Sequence, residues 1–394
     1  MPKQTIRDLD VGGKRVLVRA DFNVPIADNG RIMDDLRIEA TIPTIEYLRE
    51  HKAMVILCSH RGRPKGMVNA KYSLAPIAAR LSEMLGSPVP LATDCVGPDA
   101  EQAVGAMEPA DVLLLENVRF HAEEEKNDAA FAKQLAALAD IYVNDAFGAA
   151  HRAHASTEGV AHLLPAVAGL LMEREIEHLG RVVANPERPL AAIIGGAKIS
   201  DKMVVLRNLL SKADVLVIGG GMANTFLEAQ GRFVGDSLVE DDQLETARAV
   251  IDEAKERTVA LLLPVDVVIA DQFAADAHSK TVAVDAVPEG WRIMDAGPES
   301  VDAYAEALQP CKIIVWNGPL GVMEFPAFAR GSEALAQVLA GLDATTIVGG
   351  GETAAMIEEA GLASRFDHVS TGGGAFLEFL EGRELPGLAA LRDK

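Results

Sequence analysis

Short runs of consecutive apolar residues alternate along the chain with longer segments rich in Ala, Leu and Glu. An unbroken apolar run fits a strand that helices cover on both faces, whereas a half-exposed strand alternates apolar and polar residues. Segments such as Asp128–Ala139 have the length and composition of helices between such strands. The alternation predicts βαβ units and parallel sheets. The runs that predict strands are Arg15–Arg19, Met54–Ser59, Val112–Leu115, Ile141–Val143, Ala191–Ile194, Val215–Ile218, Val259–Leu263, Ile313–Trp316 and Thr345–Val348.

The length of the chain predicts two domains, because 394 residues exceed what one ordinary hydrophobic core accommodates. A long helical pattern, Leu163–Leu179, follows the fourth strand, and Asn185–Pro189 breaks it. We therefore predict an α/β fold with two Rossmann-like three-layer domains, each on a parallel sheet, joined by a helical hinge. The first domain is predicted to span residues 1–170 and the second 171–377.

Composition narrows the classes of function. The formal net charge of −21 disfavours nucleic acid as a partner, because a protein that follows phosphates needs a basic surface. The three cysteines, Cys58, Cys95 and Cys311, form no CxxC pattern, which suggests reduced thiols in a reducing compartment. The first ten residues have no apolar signal region, and no uncharged apolar run is long enough to span a bilayer. We expect a cytoplasmic protein without a membrane partner.

Glycines follow nearly every predicted strand of the second half. In a parallel sheet the ligand crevice lies at the carboxyl ends of the strands, where glycine lets backbone N–H groups approach a phosphate. One such turn would indicate only a tight connection, but five on one edge predict a nucleotide site. Neither a GxxxxGK[ST] loop nor a GxGxxG fingerprint is present. The turns are Gly195–Gly196, Gly219–Gly221, Gly318, Gly349–Gly351 and Gly372–Gly374.

Lys198 and Lys202 follow the first of these turns, four residues apart. On one helix face near the N-terminus they would repel each other, and the helix dipole would disfavour both charges. A bound polyphosphate would offset that cost, whereas the alternative is a solvated pair beside Asp201. The glycine-rich context favours the phosphate.

Cations cluster just past the predicted strands of the first half. Because the carboxyl ends of parallel strands share one edge, these side chains should converge, and the guanidinium fork binds carboxylate and phosphate bidentately. Singly, each arginine would be taken for a surface residue; together they predict a site for a small, multiply charged acid. The cluster comprises Arg19, Arg37, His60, Arg61, Arg63, Arg119, His121, His151, Arg152 and His154.

Two polar residues accompany the first of these cations. Asp21 and Asn23 are candidates for hydrogen bonds to a substrate hydroxyl, and Asp21 could also orient an arginine. For Asn23, turn formation before Pro25 is the alternative. Further along the chain, the triplet Glu123–Glu125 predicts a solvated helix start.

Motifs in order from residue 19 to residue 374 resemble those of phosphoglycerate kinases: RADFNVP, SHRGRP, LLENVRFH, NDAFGAAHR, GGAKISDK, GGGMANTF, WNGPLGVMEF, GGGETAA and STGGGAF. The similarity covers essentially the whole chain. It implies reversible phosphoryl transfer between 1,3-bisphosphoglycerate with ADP and 3-phosphoglycerate with ATP, using Mg²⁺, in glycolysis and gluconeogenesis. The implied partners are these small molecules, bound by a monomer.

Carried over by motif, the resemblance also implies site residues. Phosphoglycerate would meet Asp21, Phe22, Asn23, Arg37, His60, Arg61, Gly62, Arg63, Arg119 and Arg152. The nucleotide would meet Lys202, Asn317, Glu324, Gly350, Gly351, Glu352 and Thr353, with Glu324 at the ribose. We further hypothesise that Arg37, Lys198 and Lys202 neutralise charge on the transferring group, with help from the amides at Gly372, Gly373 and Gly374. In this family the C-terminal tail returns to the first domain, so residues 378–394 are assigned there.

Two positions depart from the family's pattern. Glu352 stands where Asp is common; the position is expected near Mg²⁺, which makes Glu352 the candidate metal ligand beside the nucleotide phosphates. Arg61 stands where Leu is usual and adds a charge.

The expected chemistry needs no general base, because the acid's own carboxylate, with a pKa near ~4, is already an ionised nucleophile at neutral pH. The protein positions the reactants and neutralises charge, and hinge closure excludes water. Two alternatives are a nicotinamide-dependent dehydrogenase, which the missing GxGxxG disfavours, and a non-catalytic nucleotide-binding or scaffold protein, which the full set of arginines and lysines disfavours.

Overall fold

A computed structural model describes residues 2–27, 29–184 and 186–394. The chain forms two compact units, Met1–Glu177 with Glu384–Lys394, and His178–Arg383. Each unit contains a parallel sheet with helices between its strands, so the predicted α/β class is confirmed. Among the described residues, we find no helix with the length and apolar character required to cross a membrane.

The first unit is built on a five-stranded parallel sheet in the order β3-β2-β1-β4-β5. Val16 and Val18 of the first strand lie in the main apolar cluster, and Leu17 between them is also fully buried. Cover on both faces explains why these strands read as unbroken apolar runs. The strands are β1 Arg15–Arg19, β2 Met54–Cys58, β3 Val112–Leu114, β4 Ile141–Asn144 and β5 Ala166–Ala168. The helices are α1 Leu36–Glu50, α2 Ala75–Leu85, α3 Pro98–Gly105, α4 Ala122–Glu125, α5 Ala129–Ala137 and α6 Leu170–Val183.

The end of the chain belongs to this first unit. The short helix Pro386–Ala389 lies beside the end of β4, where the Asn144 side-chain amide donates to the Gly387 carbonyl at 3.0 Å. Lys3 forms an ion pair with Asp393 at 2.8 Å, and the two residues also form an isolated antiparallel bridge. The two ends of the chain are thus joined within one unit.

The second unit contains a six-stranded parallel sheet in the order β14-β13-β12-β6-β7-β8 and a separate antiparallel sheet in the order β10-β9-β11. The small sheet was not predicted: its strand Ser279–Ala283 is largely exposed and carries no apolar run. The strands are β6 Leu190–Ile194, β7 Val215–Ile218, β8 Ala260–Leu262, β9 Asp266–Ala270, β10 Ser279–Ala283, β11 Arg292–Ala296, β12 Ile313–Asn317, β13 Thr345–Gly349 and β14 His368–Val369. The helices are α7 Met203–Leu210, α8 Gly221–Ala229, α9 Leu244–Glu256, α10 Pro298–Leu308, α11 Arg330–Leu339, α12 Gly351–Glu359 and α13 Gly373–Leu380, and α14, Pro386–Ala389, lies in the first unit.

The helix predicted over Leu163–Leu179 begins later than the sequence suggested. Residues 166–168 pair with β4 as the edge strand β5. The buried carboxylate of Asp145 then accepts hydrogen bonds from the amides of Leu171 at 2.9 Å and Met172 at 3.1 Å. These amides lie in the first turn of α6 and have no partner within the helix, so Asp145 stabilises the helix start there.

Candidate active site

The carboxyl ends of β3, β2, β1 and β4 lie side by side, because these strands are parallel neighbours in one sheet. Arg19 is the last residue of β1, and His60 lies two residues beyond β2. Arg119 lies in a 3₁₀ turn after β3, and Arg152 follows β4. Together with Arg37 of α1, these arginines are near enough to influence the titration of His60. The structure therefore brings this part of the predicted cluster together.

His60 lies at the centre of the cluster as a neutral hydrogen-bond donor. Its Nδ1 is 3.0 Å from Nη2 of Arg19. A guanidinium can only donate, so Nδ1 accepts and the ring proton resides on Nε2. Burial, and then the charges of Arg19, Arg119, Arg152 and Arg37, hold the pKa of His60 well below its ordinary value. At neutral pH His60 thus has an Nε2–H to donate and no charge.

A buried carboxylate is linked to Arg19 through a serine hydroxyl. The Nε of Arg19 donates to the Ser156 hydroxyl at 2.8 Å, and that hydroxyl donates to Glu124 at 2.6 Å. Glu124 is fully buried, so the predicted solvated helix start is wrong for this residue. Burial raises the pKa of Glu124, while Arg19 and the hydrogen bonds from Ser156 oppose that shift. A charged triplet normally marks a solvent-facing turn, so no sequence signal indicated that Glu124 faces inward.

The loop after β1 joins several of the predicted residues. The Nη1 of Arg37 donates to the Asn23 carbonyl at 2.9 Å and lies 3.6 Å from the Asp21 carboxylate. The side-chain oxygen of Asn23 accepts from the Gly62 amide at 2.9 Å. Phe22 between them is fully buried, so its side chain fills the core and anchors the loop.

Arg119 is 3% exposed and donates to the Gly62 carbonyl at 2.9 Å. Burial lowers the pKa of Arg119 to about 10, which leaves the guanidinium protonated at neutral pH. Its Nε has no hydrogen-bond partner among the described atoms and lies 3.4 Å from the Glu125 carboxylate. The Nε of Arg152 donates to His151 at 3.1 Å. Arg119 is thus held by a backbone carbonyl on one side and by the Glu125 carboxylate on the other.

Other predicted residues are placed differently. The guanidinium of Arg61 donates to the carbonyls of Lys71 at 2.7 Å and Ser73 at 3.0 Å, which fastens the loop after β2. The side chain of Arg63 is exposed. The Nε2 of His121 is 2.7 Å from Asp94, in a separate cluster.

His154 is also uncharged at neutral pH. Burial, followed by the charges of Arg119, Arg19 and Arg152, lowers the pKa of His154 to about 4. His60 and His154 thus supply uncharged hydrogen-bonding groups among the positively charged arginines.

In the second unit, a pocket of about 260 Å³ lies at the carboxyl edge of the sheet. Glycine at its wall is required by close backbone packing: Gly220 has φ +69°, and a Cβ there would lie 2.6 Å from both the N and O atoms of Gly196. Glu324 and Glu352, both predicted to meet the nucleotide, line the pocket. Its walls combine backbone, apolar side chains and carboxylates from Gly196, Gly220, Gly221, Leu238, Phe273, Met323, Glu324 and Glu352.

Lys202 is held beside this pocket by oxygens from two strand ends. Its Nζ donates to the Gly195 carbonyl at 2.7 Å and to the Asn317 side chain at 2.6 Å. Burial lowers the pKa of Lys202 to about 8, and the negative charges of Glu352 and Asp201 oppose the shift. At neutral pH the ammonium is still mostly protonated, at the edge of the sheet that the sequence predicts to bind phosphate.

The shared helix face predicted for Lys198 and Lys202 is wrong. Lys202 ends a 3₁₀ turn, Ser200–Lys202, and α7 begins only after it. Lys198 lies in the preceding loop and is exposed. The Glu240 carboxylate accepts a hydrogen bond from the Ile199 amide at 2.6 Å. This bond holds the segment in a loop that precedes α7.

The predicted nucleotide residues of the strand ends are joined to one another. Asn317 donates its amide to the Gly349 carbonyl at 2.9 Å, and the buried Thr353 hydroxyl accepts from the Gly318 amide at 3.1 Å. Gly350 has φ +102°, and a Cβ there would lie 3.0 Å from the Asn317 amide nitrogen. The side chains of Asn317 and Thr353 therefore hold the shape of the glycine loop.

Two helix N-termini meet at this edge. Gly351 opens α12, and Gly373 opens α13 after Gly372. A Cβ on Gly373 would lie 3.9 Å from the Gly351 nitrogen, so the two openings are neighbours. The amide of Gly372 donates to the Ser370 hydroxyl at 3.2 Å. The positive ends of two helix dipoles thus converge where an anion would be stabilised.

The residues present are compatible with a nucleotide-bound Mg²⁺. Glu352 is exposed in the first turn of α12 and lines the pocket. A carboxylate oxygen is a suitable ligand for a hard divalent cation, which nucleotide phosphates otherwise hold.

Comparisons with known proteins agree on one family. A family model described as phosphoglycerate kinase matches residues 6–383. A phosphoglycerate kinase of Pelotomaculum thermopropionicum is 60% identical over 394 residues, and one of Moorella thermoacetica is 59% identical, each match covering 100% of both chains. The solved phosphoglycerate kinase from Coxiella burnetii is 45% identical with a TM-score of 0.89, covering 99% of this chain and 98% of its own. Because the matches extend over essentially the full length in both sequence and structure, this chain belongs to the phosphoglycerate kinase family.

Proposed function

We propose that the chain transfers a phosphoryl group reversibly between ATP and the carboxylate of 3-phosphoglycerate, giving ADP and 1,3-bisphosphoglycerate. The observation that carries the proposal is the group of arginines around the neutral His60, in a chain whose net charge is −21. Such a group of positive charges attracts a small anion. The glycine-lined pocket with Lys202 supports a nucleotide as the second reactant.

The arginine cluster around His60 suits 3-phosphoglycerate. Arg37, Arg119 and Arg152 are assigned to its phosphate and carboxylate, because guanidinium groups bind both bidentately. His60 would add an Nε2–H without adding charge. Asp21 and Asn23 would hold Arg37 and accept from the substrate hydroxyl. Arg61 and Arg63 are assigned to the loop that surrounds the substrate, and the contact of Arg61 with the Lys71 carbonyl supports a role in holding that loop.

In the transfer step, a carboxylate oxygen of 3-phosphoglycerate attacks the γ-phosphorus of ATP. The new oxygen–phosphorus bond forms as the bond from the γ-phosphorus to the β–γ bridging oxygen breaks, and ADP leaves with that oxygen. No proton is transferred, so the site needs no general base. Catalysis then rests on neutralising charge on the transferring oxygens. Arg37, Lys198 and Lys202, with the amides at Gly372 and Gly373, are assigned to that role.

The nucleotide is proposed to bind at the strand ends of the second unit. Glu324 would accept from the ribose, and Gly350, Gly351 and Thr353 would shape the loop beside the phosphates. When bound, Mg²⁺ supplies positive charge to the β- and γ-phosphates. Glu352 would hold it directly or through water.

Because the arginine cluster and the nucleotide pocket belong to different units, the reaction requires the two ligands to be brought together. We therefore propose closure about the helix α6, with the domains divided near residue 170 and the tail 378–394 assigned to the first. We also propose a cytoplasmic monomer, since one chain supplies both sets of residues. Sedimentation at several protein concentrations would test the oligomeric state.

The decisive assay couples 1,3-bisphosphoglycerate formation from 3-phosphoglycerate and Mg-ATP to NADH oxidation by an excess of a dehydrogenase. We expect turnover that requires both substrates and Mg²⁺. Arg49→Ala is a matched control, because Arg49 contacts the Ala110 carbonyl before β3, at the opposite edge of the sheet. Absence of turnover with retained ATP binding would favour a non-catalytic nucleotide-binding protein. NADH oxidation without ATP or the coupling enzyme would favour a dehydrogenase.

A further inference from the structure

A second cluster of chemically reactive side chains lies in the first unit, outside the residues assigned to phosphoglycerate. Asp94, Cys95 and His121 each offer one metal-ligating atom, and the three atoms lie within 4.8 Å of one another. The Nε2 of His121 is 2.7 Å from an Asp94 carboxylate oxygen. A thiol, an imidazole and a carboxylate are thus gathered by two loops that are distant in sequence.

The separations are close to those of a tetrahedral metal site. With metal–donor distances of about 2.0–2.3 Å, neighbouring donor atoms lie roughly 3.3–3.8 Å apart. The pair of His121 and Asp94, at 2.7 Å, must therefore open by at least about 0.6 Å, and separations of up to 4.8 Å to the other donor must close by up to about 1 Å. The side chains of Asp94 and His121 are 44% and 29% exposed, which gives a cation access and leaves both side chains room to move. Cys95 is fully buried.

We infer that Asp94, Cys95 and His121 form a binding site for a thiophilic divalent cation of the Zn²⁺ class, with water as the fourth ligand. Sulfur and imidazole donors select Zn²⁺ and its neighbours over Mg²⁺, which prefers oxygen. On binding, the thiol releases its proton to solvent and the His121 proton resides on Nδ1. The cation replaces the hydrogen bond between His121 and Asp94.

The site would join two segments that matter to the proposed reaction. His121 directly follows the 3₁₀ turn Val118–Phe120, which carries Arg119. Asp94 and Cys95 precede α3. A bound cation would fasten the turn of Arg119 to the segment before that helix, so its binding should raise the unfolding temperature of the whole chain by a few degrees at a concentration of ~100 times Kd.

The test uses the full-length protein without a histidine tag, titrated first with Co²⁺ as a spectroscopic probe and then with Zn²⁺ by calorimetry. We expect a thiolate-to-cobalt charge-transfer band in the near ultraviolet, present in the wild type and in Cys311→Ser, and lost in Cys95→Ser. Cys311 is the matched control, since it is also buried but lies in the second unit. For His121→Gln and Asp94→Asn, Zn²⁺ affinity should fall at least about tenfold.

A wild-type protein without the charge-transfer band would overturn the inference, and so would a band that persists in Cys95→Ser. If Cys95→Ser fails to fold, the variant His121→Gln provides the test, because His121 is partly exposed. Unchanged Zn²⁺ affinity in His121→Gln would show that the cation binds elsewhere. Because these readouts do not involve turnover, they are independent of the proposed phosphoryl transfer.

Discussion

The protonation of Lys202 should set the upper pH limit of nucleotide capture. Burial lowers the pKa of this ammonium from 10.5 to about 8, with Glu352 and Asp201 opposing the shift. Its Nζ already donates to the Gly195 carbonyl and to Asn317. Loss of the proton would remove the buried positive charge nearest to the proposed phosphate position.

The size of the effect follows from that pKa. One pH unit above 8, only about a tenth of Lys202 remains protonated, and two units above, about a hundredth. The kcat/KM for Mg-ATP reports ionisation in the free enzyme, so it should fall about tenfold per pH unit above pH 8. Bound phosphates favour the ammonium and raise its pKa, so kcat should begin to fall only at a higher pH.

The assay measures kcat and kcat/KM for Mg-ATP from pH 6.5 to about 9.5, with 3-phosphoglycerate saturating and coupling enzymes in excess. In Lys202→Arg the decline should disappear even if the rate is lower, because a guanidinium stays protonated throughout. Lys198→Ala should retain the decline, since Lys198 is exposed in the loop before the 3₁₀ turn. A flat wild-type profile, or an identical decline in Lys202→Arg, would refute the reasoning.

Three further predictions concern other parts of the chain. Arg37→Ala should lower kcat by roughly 10²-fold or more while calorimetry still detects 3-phosphoglycerate binding; unchanged turnover would remove Arg37 from charge neutralisation. Burial raises the pKa of Asp145 from 3.8 to about 7. The protonated side chain therefore contributes fully to the free energy of unfolding below pH 3.8, and this contribution is lost as the pH rises through 7. Urea unfolding should therefore show the wild type losing up to about 4 kcal/mol relative to Asp145→Asn between pH 4 and 8; parallel curves would contradict this. Gly350→Ala should weaken Mg-ADP binding about tenfold in calorimetry, because φ is +102° and the new Cβ would crowd Asn317, whereas Gly180→Ala, with open space at its Cβ, should not.

The parallel sheets could be predicted because burial on both faces leaves a simple record in the sequence. Residues 16–18 and 55–57 are apolar without interruption, and both strands lie inside the first sheet. The strand Ser279–Ala283 could not be found in the same way, since it pairs only with β9 and most of its residues face solvent. Its pairing depends on the apolar strand beside it rather than on its own composition.

The placement of a candidate site residue could be predicted where the residue lies at the end of a strand. It could not be predicted where contacts between distant segments determine its position. The position of Arg119 beyond β3 follows from the topology alone. The link from Arg19 through Ser156 to Glu124 joins segments 137 and 32 residues apart, so local patterns could not indicate it. Lys198 was misplaced because four-residue spacing was read as helical, whereas Glu240 holds that segment outside the helix.

Burial affects the cations of the arginine cluster and of the nucleotide pocket differently, so the two sets should lose their charge at different pH values. Burial lowers the pKa of Arg119 only to about 10 but that of Lys202 to about 8. At pH 9 about nine-tenths of Arg119 and only about one-tenth of Lys202 would carry a proton. The KM for 3-phosphoglycerate should therefore hold at a pH where the kcat/KM for Mg-ATP has already fallen tenfold. Equal losses for both substrates would mean that a shared event, such as unfolding or a failure of closure, limits the enzyme instead.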